Sequence, residues 1–343
     1  TLKLDVFVDD LIEVFKEPCF PLHVKKIYFS RAFDIIKSNK FDFCYNNWSQ
    51  ISDEILGESN IDDYLYWAQI IFENKITNIS DIDGRGNSKI HQLTTDDGKI
   101  FALKTYPDRL IDPRNRIQAE FNACRFLEST NRAQKAIDMD SNLNMAVYEW
   151  VDGSVIQKIE RRHIDDALTF IALLAGKSKN LNSKDFPLAS EACLSLNMLS
   201  DQIHSRFSKL KARAPHFDKL KLFLELSFEP VWAKAIKWTK NYWPKNNIDS
   251  ILDKKFHTIS PSDFGFHNAL ERKDGTLCYL DLEYFGFDDP AKLIIDFIWH
   301  PGMNLSSDQK KTWIKESSKI FNETEHLQSR LFAAWPVIGL RWS

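Results

Sequence analysis

Four side chains in the carboxy-terminal half are spaced for proton and metal chemistry. Asp263 and Asn268 lie five positions apart in Ser260-Pro-Ser-Asp-Phe-Gly-Phe-His-Asn268, and Asp281 and Glu283 close the apolar run Leu277-Cys-Tyr-Leu280. A carboxylate can take a hydroxyl proton, and carboxylate and amide oxygens together are hard ligands of the kind Mg²⁺ accepts. Asp-x-x-x-x-Asn is the spacing of loops that do both in phosphoryl transfer, Asp as base and Asn on the metal. Asp281 follows Asp263 by 18 positions, with the turn Asp274-Gly275 between them. Two strands joined by that turn would bring Asp263, Asn268 and Asp281 together, with Asp281 and Glu283 on one side of a strand end. Asp263-Phe264-Gly265 also spells the Asp-Phe-Gly metal motif of protein kinases. That motif needs a catalytic Asp with an Asn five places on ahead of it, and no suitable pair precedes. Asp263 is therefore assigned as base, Asn268 and Asp281 as metal ligands, and Glu283 as a second metal ligand or a support for the ligands.

Moving a phosphoryl group also needs a glycine turn near the phosphates, a lysine to neutralise them and a carboxylate to hold that lysine. Gly84 and Gly86 supply the turn in Asp83-Gly-Arg-Gly-Asn-Ser88; Lys104 ends the run Phe101-Ala-Leu-Lys104; Glu120 follows 16 positions later. Tyr148-Glu149-Trp150-Val151 reads as a connector whose backbone, at Glu149 and Val151, can hydrogen-bond an adenine.

The elements that must position these groups follow from periodicity. Ile76–Ile82, Lys89–Thr94, Ile100–Lys104 and Met145–Trp150 read as strands, with Asp97-Gly98 as a hairpin turn. Arg116–Leu127 reads as a helix with Ile117, Phe121, Cys124 and Leu127 on one face. From about residue 155 the chain is mainly helical, with a strand–turn–strand insert at Phe256–Leu282. Residues 1–75 form a separate segment: Leu4–Val8 as a short buried strand, then a helix start, with Ile61–Phe72 read as helix from its aromatic-rich pattern. The expected organisation is 1–75, a nucleotide-binding lobe at 76–150 and a helical lobe carrying the catalytic loop at 151–343.

Composition fits this plan and excludes others. The 343 residues are 43% hydrophobic and 27% charged, enough for two or three domains with ordinary cores. A net charge of -3 offers no global field for nucleic acid. Five scattered cysteines without a Cys-x-x-Cys pair argue against zinc or a disulfide framework and for a reducing, cytoplasmic setting. No apolar run approaches the ~20 residues of a membrane span; Phe170–Ala175 and Leu331–Leu340 read as core. The sequence sets no oligomeric state. It starts at Thr1 and stops inside an apolar stretch, so both ends are expected to be truncated or processed.

These motifs together resemble the aminoglycoside phosphotransferase and choline kinase superfamily, from about residue 76 to the mid-290s. The family's His-x-Asp-x-x-x-x-Asn loop corresponds to Pro261 through Asn268, its Ile-Asp-x-Glu strand to Leu280–Glu283, and its Gly-x-x-Asp-Pro pattern to Gly286–Pro290 followed by Asp296-Phe297. Pro261 stands where the family has histidine, which bears on loop geometry. The resemblance implies an α+β, bilobal protein-kinase-like fold, here with an N-terminal α/β extension. It implies ATP or GTP with Mg²⁺ as cofactors, and a small-molecule hydroxyl acceptor: a sugar, an amino alcohol or a glycan precursor. The alternative is a non-catalytic nucleotide-binding module fused to a hydrolase remnant. That remnant is suggested by Asp5-Val-Phe-Val-Asp9-Asp10-Leu11, which resembles the last acidic motif of haloacid-dehalogenase-like hydrolases. Among neighbouring residues, His267 reads as packed or capping, Asp289 as a helix N-cap before Pro290, Asp296 as a buried brace for the catalytic loop, and Arg206–Lys221 as a solvated basic face.

Overall fold

The computed structural model describes residues 6–21, 23–30, 41–45, 48, 51, 55, 67–72, 75–82, 88–107, 112–182, 184–244 and 250–343. The chain divides into two compact units, Thr1–Ile79 with Thr95–Asp97, and Ser80–Thr94 with Gly98–Ser343.

In the first unit, β1 (Val6–Asp9), β2 (Lys25–Phe29) and β3 (Phe43–Tyr45) pair in parallel in that order, Val6 opposite Lys25 and Ile27 opposite Phe43. Phe15 packs edge-on against Phe7, Tyr28 and Phe41, giving this small sheet an aromatic core. The expected strand is thus present, ending at Asp9, whose carboxylate accepts the Leu11 N–H at 2.8 Å.

The second unit begins with a sheet lobe. Its strands β5 (Lys89–Thr95), β6 (Ile100–Thr105), β8 (Met145–Glu149) and β7 (Ala136–Asp140) lie side by side in that order, and β4 (Ile76–Ile82) is divided between the two units. The β5–β6 turn requires glycine: Gly98 has φ +80°, where a side chain is strained. Helix α1 (Arg116–Leu127) buries Ile117, Phe121, Cys124 and Leu127, as its periodicity predicts, and Glu120 on the same face. An apolar stripe that also buries a carboxylate needs a partner cation, and β6 supplies one.

The helical lobe follows, with α2 (Arg161–Ser178), α3 (Leu196–Arg213), α4 (Asp218–Phe223), α5 (Glu229–Tyr242), α6 (Pro290–Trp299), α7 (Ser307–Ile320) and α8 (Leu327–Arg341). Leu331, Ala333, Ala334, Val337 and Ile338 of α8 are buried, so this apolar run is core, and no described helix is long and apolar enough to cross a membrane. Inserted among the helices, β10 (Thr258–Ser260) pairs with β13 (Gly286–Asp288), while β11 (Ala269–Glu271) pairs with β12 (Leu277–Tyr279) and with β9 (Ser154–Val155). The β11–β12 turn again uses glycine in the left-handed region, Gly275 at φ +82°. The architecture is the expected α+β fold, an antiparallel sheet lobe and a helical lobe with an amino-terminal α/β unit.

Buried charges tie α6 and α8 together. Asp289 caps α6 by accepting the Ala291 N–H at 2.9 Å, with Pro290 at the first helical position as expected. Its other oxygen is ion-paired with Arg330 of α8, and both side chains are almost fully buried. Asp296 corrects an expectation: it is buried, but its partners are Lys292, Arg341 and Trp342, so it clamps the end of α8 rather than the 263–268 loop. Asp289→Ala removes the cap and strands the Arg330 guanidinium in the core. Breaking one partner out of a buried pair costs about 3–5 kcal/mol. Urea unfolding of this variant is expected to show a loss of that size with an unchanged m-value.

Candidate active site

The Asp263 loop is built on aromatic packing. Phe264 packs against Phe170, Tyr279, Phe297 and Trp313, and Phe266 against Phe297, so the two residues flanking Gly265 are pinned into the core. Around Pro261 the turn closes through Ser260 Oγ, which accepts the Ser262 N–H at 3.1 Å. Ser262 itself has φ 68°, a left-handed conformation unusual for a residue with a side chain. Asn268 holds the loop to β12: its Nδ2 donates to the Asp263 carbonyl at 3.1 Å, and its own carbonyl accepts the Leu280 N–H at 2.8 Å. Asp281 is the next residue, so Asp263, Asn268 and Asp281 are linked through consecutive hydrogen bonds.

The strand-end geometry expected for Asp281 and Glu283 is different in the structure. β12 stops at Tyr279, and Asp281 has φ 59°, so the pair stands on a tight loop rather than on a strand face. The two carboxylates still converge, because both turn towards one cation. Lys104 Nζ donates to Glu120 Oε2 at 2.6 Å and to Asp281 Oδ1 at 2.6 Å, and lies 3.8 Å from Glu283. Burial alone would pull the Lys104 ammonium down; Glu120, Asp281 and Glu283 outweigh it and hold the group well above its usual value. Tyr106 donates its hydroxyl to Glu120 Oε2 at 2.8 Å, fixing the carboxylate from the other side.

Glu283 is a strongly perturbed acid of the cluster. Burial first, then the neighbouring Asp281 charge, push its carboxyl up to about 7. Its oxygens are held by Arg116, which is ion-paired to it and to Asp112, and by Ser88 Oγ at 3.4 Å. A raised folded-state value means the folded protein binds the proton more tightly than the unfolded chain. Stability is therefore highest below the usual 4.5 and falls as pH rises towards about 7. The loss is on the order of 3 kcal/mol across that interval. Thermal melts of metal- and nucleotide-free protein are expected to show this slope, and Glu283→Gln to flatten it.

Asp263 is opposite in character. Burial would raise its carboxyl, yet hydrogen bonds from His267 and His300 hold it well below the usual range, so it is ionised and proton-accepting at neutral pH. Both imidazole Nε2 atoms lie 3.2 Å from Asp263 Oδ1. This revises the reading of His267 as merely packed. His300, Arg116 and Tyr106 carry no sequence motif and were not expected; only the order of α6 after the loop places His300 beside Asp263.

The metal-ligating candidates can be tested on their free oxygens. Glu120, Asp281 and Glu283 present carboxylate oxygens within 4.8 Å of one another, the hard donor set that Mg²⁺ or Ca²⁺ takes. Asp281 has one oxygen on Lys104 and is 37% exposed, and the Asn268 amide oxygen faces away from the Nδ2 bond to Asp263. Asp281 keeps an oxygen available to a cation, whereas Glu283, buried and bound at both oxygens, is less available. Of the nucleotide-binding candidates, Gly84 and Gly86 lie outside the described residues. Glu149 ends β8, three residues beyond Ala146, which pairs with Lys104, and so roughly 10 Å along the strand. Its N–H is used by Lys135 O at 2.9 Å, and the Trp150 N–H by Ile100 O at 3.4 Å; among the described residues the Val151 N–H makes no hydrogen bond. A cavity of about 1030 Å³ lined by Phe186, Met198, Phe256, Phe287 and Phe321 includes none of these residues.

No protein-family model matches the chain, and no curated protein is similar to it by sequence. Solved structures are. A spectinomycin phosphotransferase, solved with ADP and spectinomycin, superimposes with a TM-score of 0.55 at 10% identity, over 79% of this chain and 82% of its own. The ethanolamine kinase of Plasmodium vivax gives 0.53 at 14% identity, over 87% and 88%. The choline kinase LicA of Streptococcus pneumoniae gives 0.51 at 13% identity, over 82% and 89%. The chain shares the fold of these proteins.

Proposed function

We propose that this chain is an ATP-dependent small-molecule kinase of the aminoglycoside phosphotransferase and choline kinase superfamily, transferring the γ-phosphoryl group to a hydroxyl. The observation that carries the reading is the division of labour among the site's carboxylates. Asp263 is ionised and held by two imidazoles, whereas Asp281, Glu283 and Glu120 gather around one buried lysine. A proton acceptor beside a separate cation-and-carboxylate cluster is what phosphoryl transfer needs, because its catalysis is positioning and charge neutralisation.

In this reading Asp263 orients the acceptor hydroxyl and receives its proton. Lys104, steadied by Glu120 and Tyr106, contacts the donor phosphates, which displace Asp281 from it. Asn268 and Asp281 would hold Mg²⁺, with Glu283 as a further ligand or support, and the bound ion would supply charge neutralisation at the phosphates. The Gly84–Gly86 turn covers the phosphates. The connector would hold adenine, or guanine, through backbone groups at Glu149 and Val151. The lobes are 76–150 and 151–343. We read residues 1–75 as the tail of a haloacid-dehalogenase-like domain, supported by a parallel sheet whose first strand ends at Asp9, next to Asp10. The acceptor is a sugar, an amino alcohol or a glycan precursor, and the protein acts in the cytoplasm.

Calorimetric titration with ATP and GTP, with and without Mg²⁺, followed by ADP release against a panel of sugars, amino alcohols and aminoglycosides, tests the proposal. Metal-dependent nucleotide binding and acceptor-stimulated ADP release are expected. Nucleotide binding with no turnover on any acceptor would move the reading to a non-catalytic nucleotide-binding module.

A further inference from the structure

Two histidines converge on a single oxygen of Asp263, and their chemistry on the other side of each ring says which nitrogen carries the proton. His300 Nδ1 accepts the Gly302 N–H at 3.1 Å, so its hydrogen must be on Nε2, the atom 3.2 Å from Asp263 Oδ1. His267 Nδ1 is buried with no hydrogen-bond partner, and its Nε2 lies 3.2 Å from the same Oδ1. An ionised carboxylate only accepts, so this nitrogen is a donor too. The rings are stacked face to face, with centroids 3.8 Å apart and planes 7° apart.

The stack is built deliberately tight. A Cβ on Gly265 would lie 2.7 Å from His267 Nδ1, and one on Gly302 would lie 2.9 Å from His267 Cβ and 3.1 Å from His300 Cε1. His300 is fixed from behind by the edge of Trp342, with centroids 4.4 Å apart, and by its own N–H on Asp296 O at the end of α6. Both donors reach Oδ1; among the described residues no hydrogen bond reaches Asp263 Oδ2. The Asp263 side chain is 29% exposed.

We propose that His300 and His267 are positioning residues that make Asp263 a one-sided base, occupying Oδ1 with two N–H donors so that Oδ2 alone meets the acceptor hydroxyl. This rests on the phosphotransferase reading. The pair restricts rotation of the carboxylate, which converts an approximate approach of the hydroxyl into one bonded geometry. The same three side chains have the residue types of a transition-metal site. The Gly302 N–H opposes that use, because it leaves His300 Nε2 protonated and without a lone pair for a metal.

The test has two arms. In the first, nitrogen NMR of the histidine side chains in the intact, nucleotide-free protein is expected to place the His300 proton on Nε2, with both Nε2 signals shifting in Asp263→Asn. A proton on His300 Nδ1 would overturn the proposal without reference to any acceptor. In the second, His300→Phe is expected to lower acceptor-dependent kcat by roughly 10–100-fold, the scale of a small misplacement at a reacting centre. KM for ATP should stay unchanged. His300→Gln, whose amide N–H can stand in for Nε2–H, should restore kcat to within about threefold of wild type. Thermal melting of both variants identifies any loss that is only unfolding; a folded His300→Phe protein with wild-type kcat, or a folded His300→Gln protein as impaired as His300→Phe, would overturn the role. Those outcomes sink the positioning role alone, since wild type still transfers. A wild-type protein that transfers to no acceptor sinks the function reading instead, and the NMR arm then judges the hydrogen-bond arrangement by itself.

Discussion

Lys104→Met is expected to lower turnover by about 10²–10³-fold, the cost of removing one preorganised cation from developing phosphate charge, and to destabilise the fold by about 3–5 kcal/mol. The two effects have separate causes. Lys104 is 5% exposed and is the cation on which Glu120, itself 1% exposed, depends. Methionine keeps the stem's volume but leaves Glu120, Asp281 and Glu283 facing one another. Arg116, a neighbouring cation, is already bound to Glu283 and Asp112. Urea unfolding and steady-state kinetics read the two losses independently. The double variant Lys104→Met with Glu120→Gln removes the stranded charge as well. It should regain part of the stability while activity stays lost; recovery of activity would contradict the assigned role of Lys104.

The second large effect is at the base. Asp263→Asn keeps an oxygen for the two imidazole N–H groups but no longer takes a proton. A general base contributes about 10²–10⁴-fold, and the loss should appear in kcat with nucleotide affinity unchanged. Stability should be little affected, since the hydrogen bonds to Oδ1 persist and the aromatic anchors Phe264 and Phe266 are untouched. A variant that loses nucleotide binding along with turnover would instead mark Asp263 as part of the donor site.

Much of this site was legible because its chemistry depends on local spacing. Asn268 and Asp281 flank the β11–β12 hairpin, whose turn at Gly275 brings its two ends together, and Asp263 lies in the loop that leads into it. Lys104 and Glu120 were legible for a similar reason: a strand and the following helix bring them together, and the hydrogen bond is 2.6 Å. Other features depend on contacts between distant segments. His300 reaches Asp263 from the far end of α6, and Arg116 reaches Glu283 across 167 positions, pairings that no periodicity marks. The left-handed backbone at Ser262 and Asp281 was likewise hidden, since neither residue is a glycine that would signal it. For the same reason Asp281 and Glu283 looked like a strand-end pair. Asp296 was misassigned because its true partners, Arg341 and Trp342, lie at the last helix, beyond the motif that suggested a brace.

The most direct test of the central claim is chemical identification of a phosphorylated acceptor. Wild type and Asp263→Asn would each be incubated with Mg²⁺-ATP and the hydroxyl-acceptor panel, and the products read by mass spectrometry. The account predicts one acceptor class gaining a phosphoryl group on a hydroxyl with wild type, at a rate about 10²–10⁴-fold higher than with Asp263→Asn. Phosphorylated product formed equally fast by both proteins would contradict the account, because transfer would then proceed without the base on which it is built.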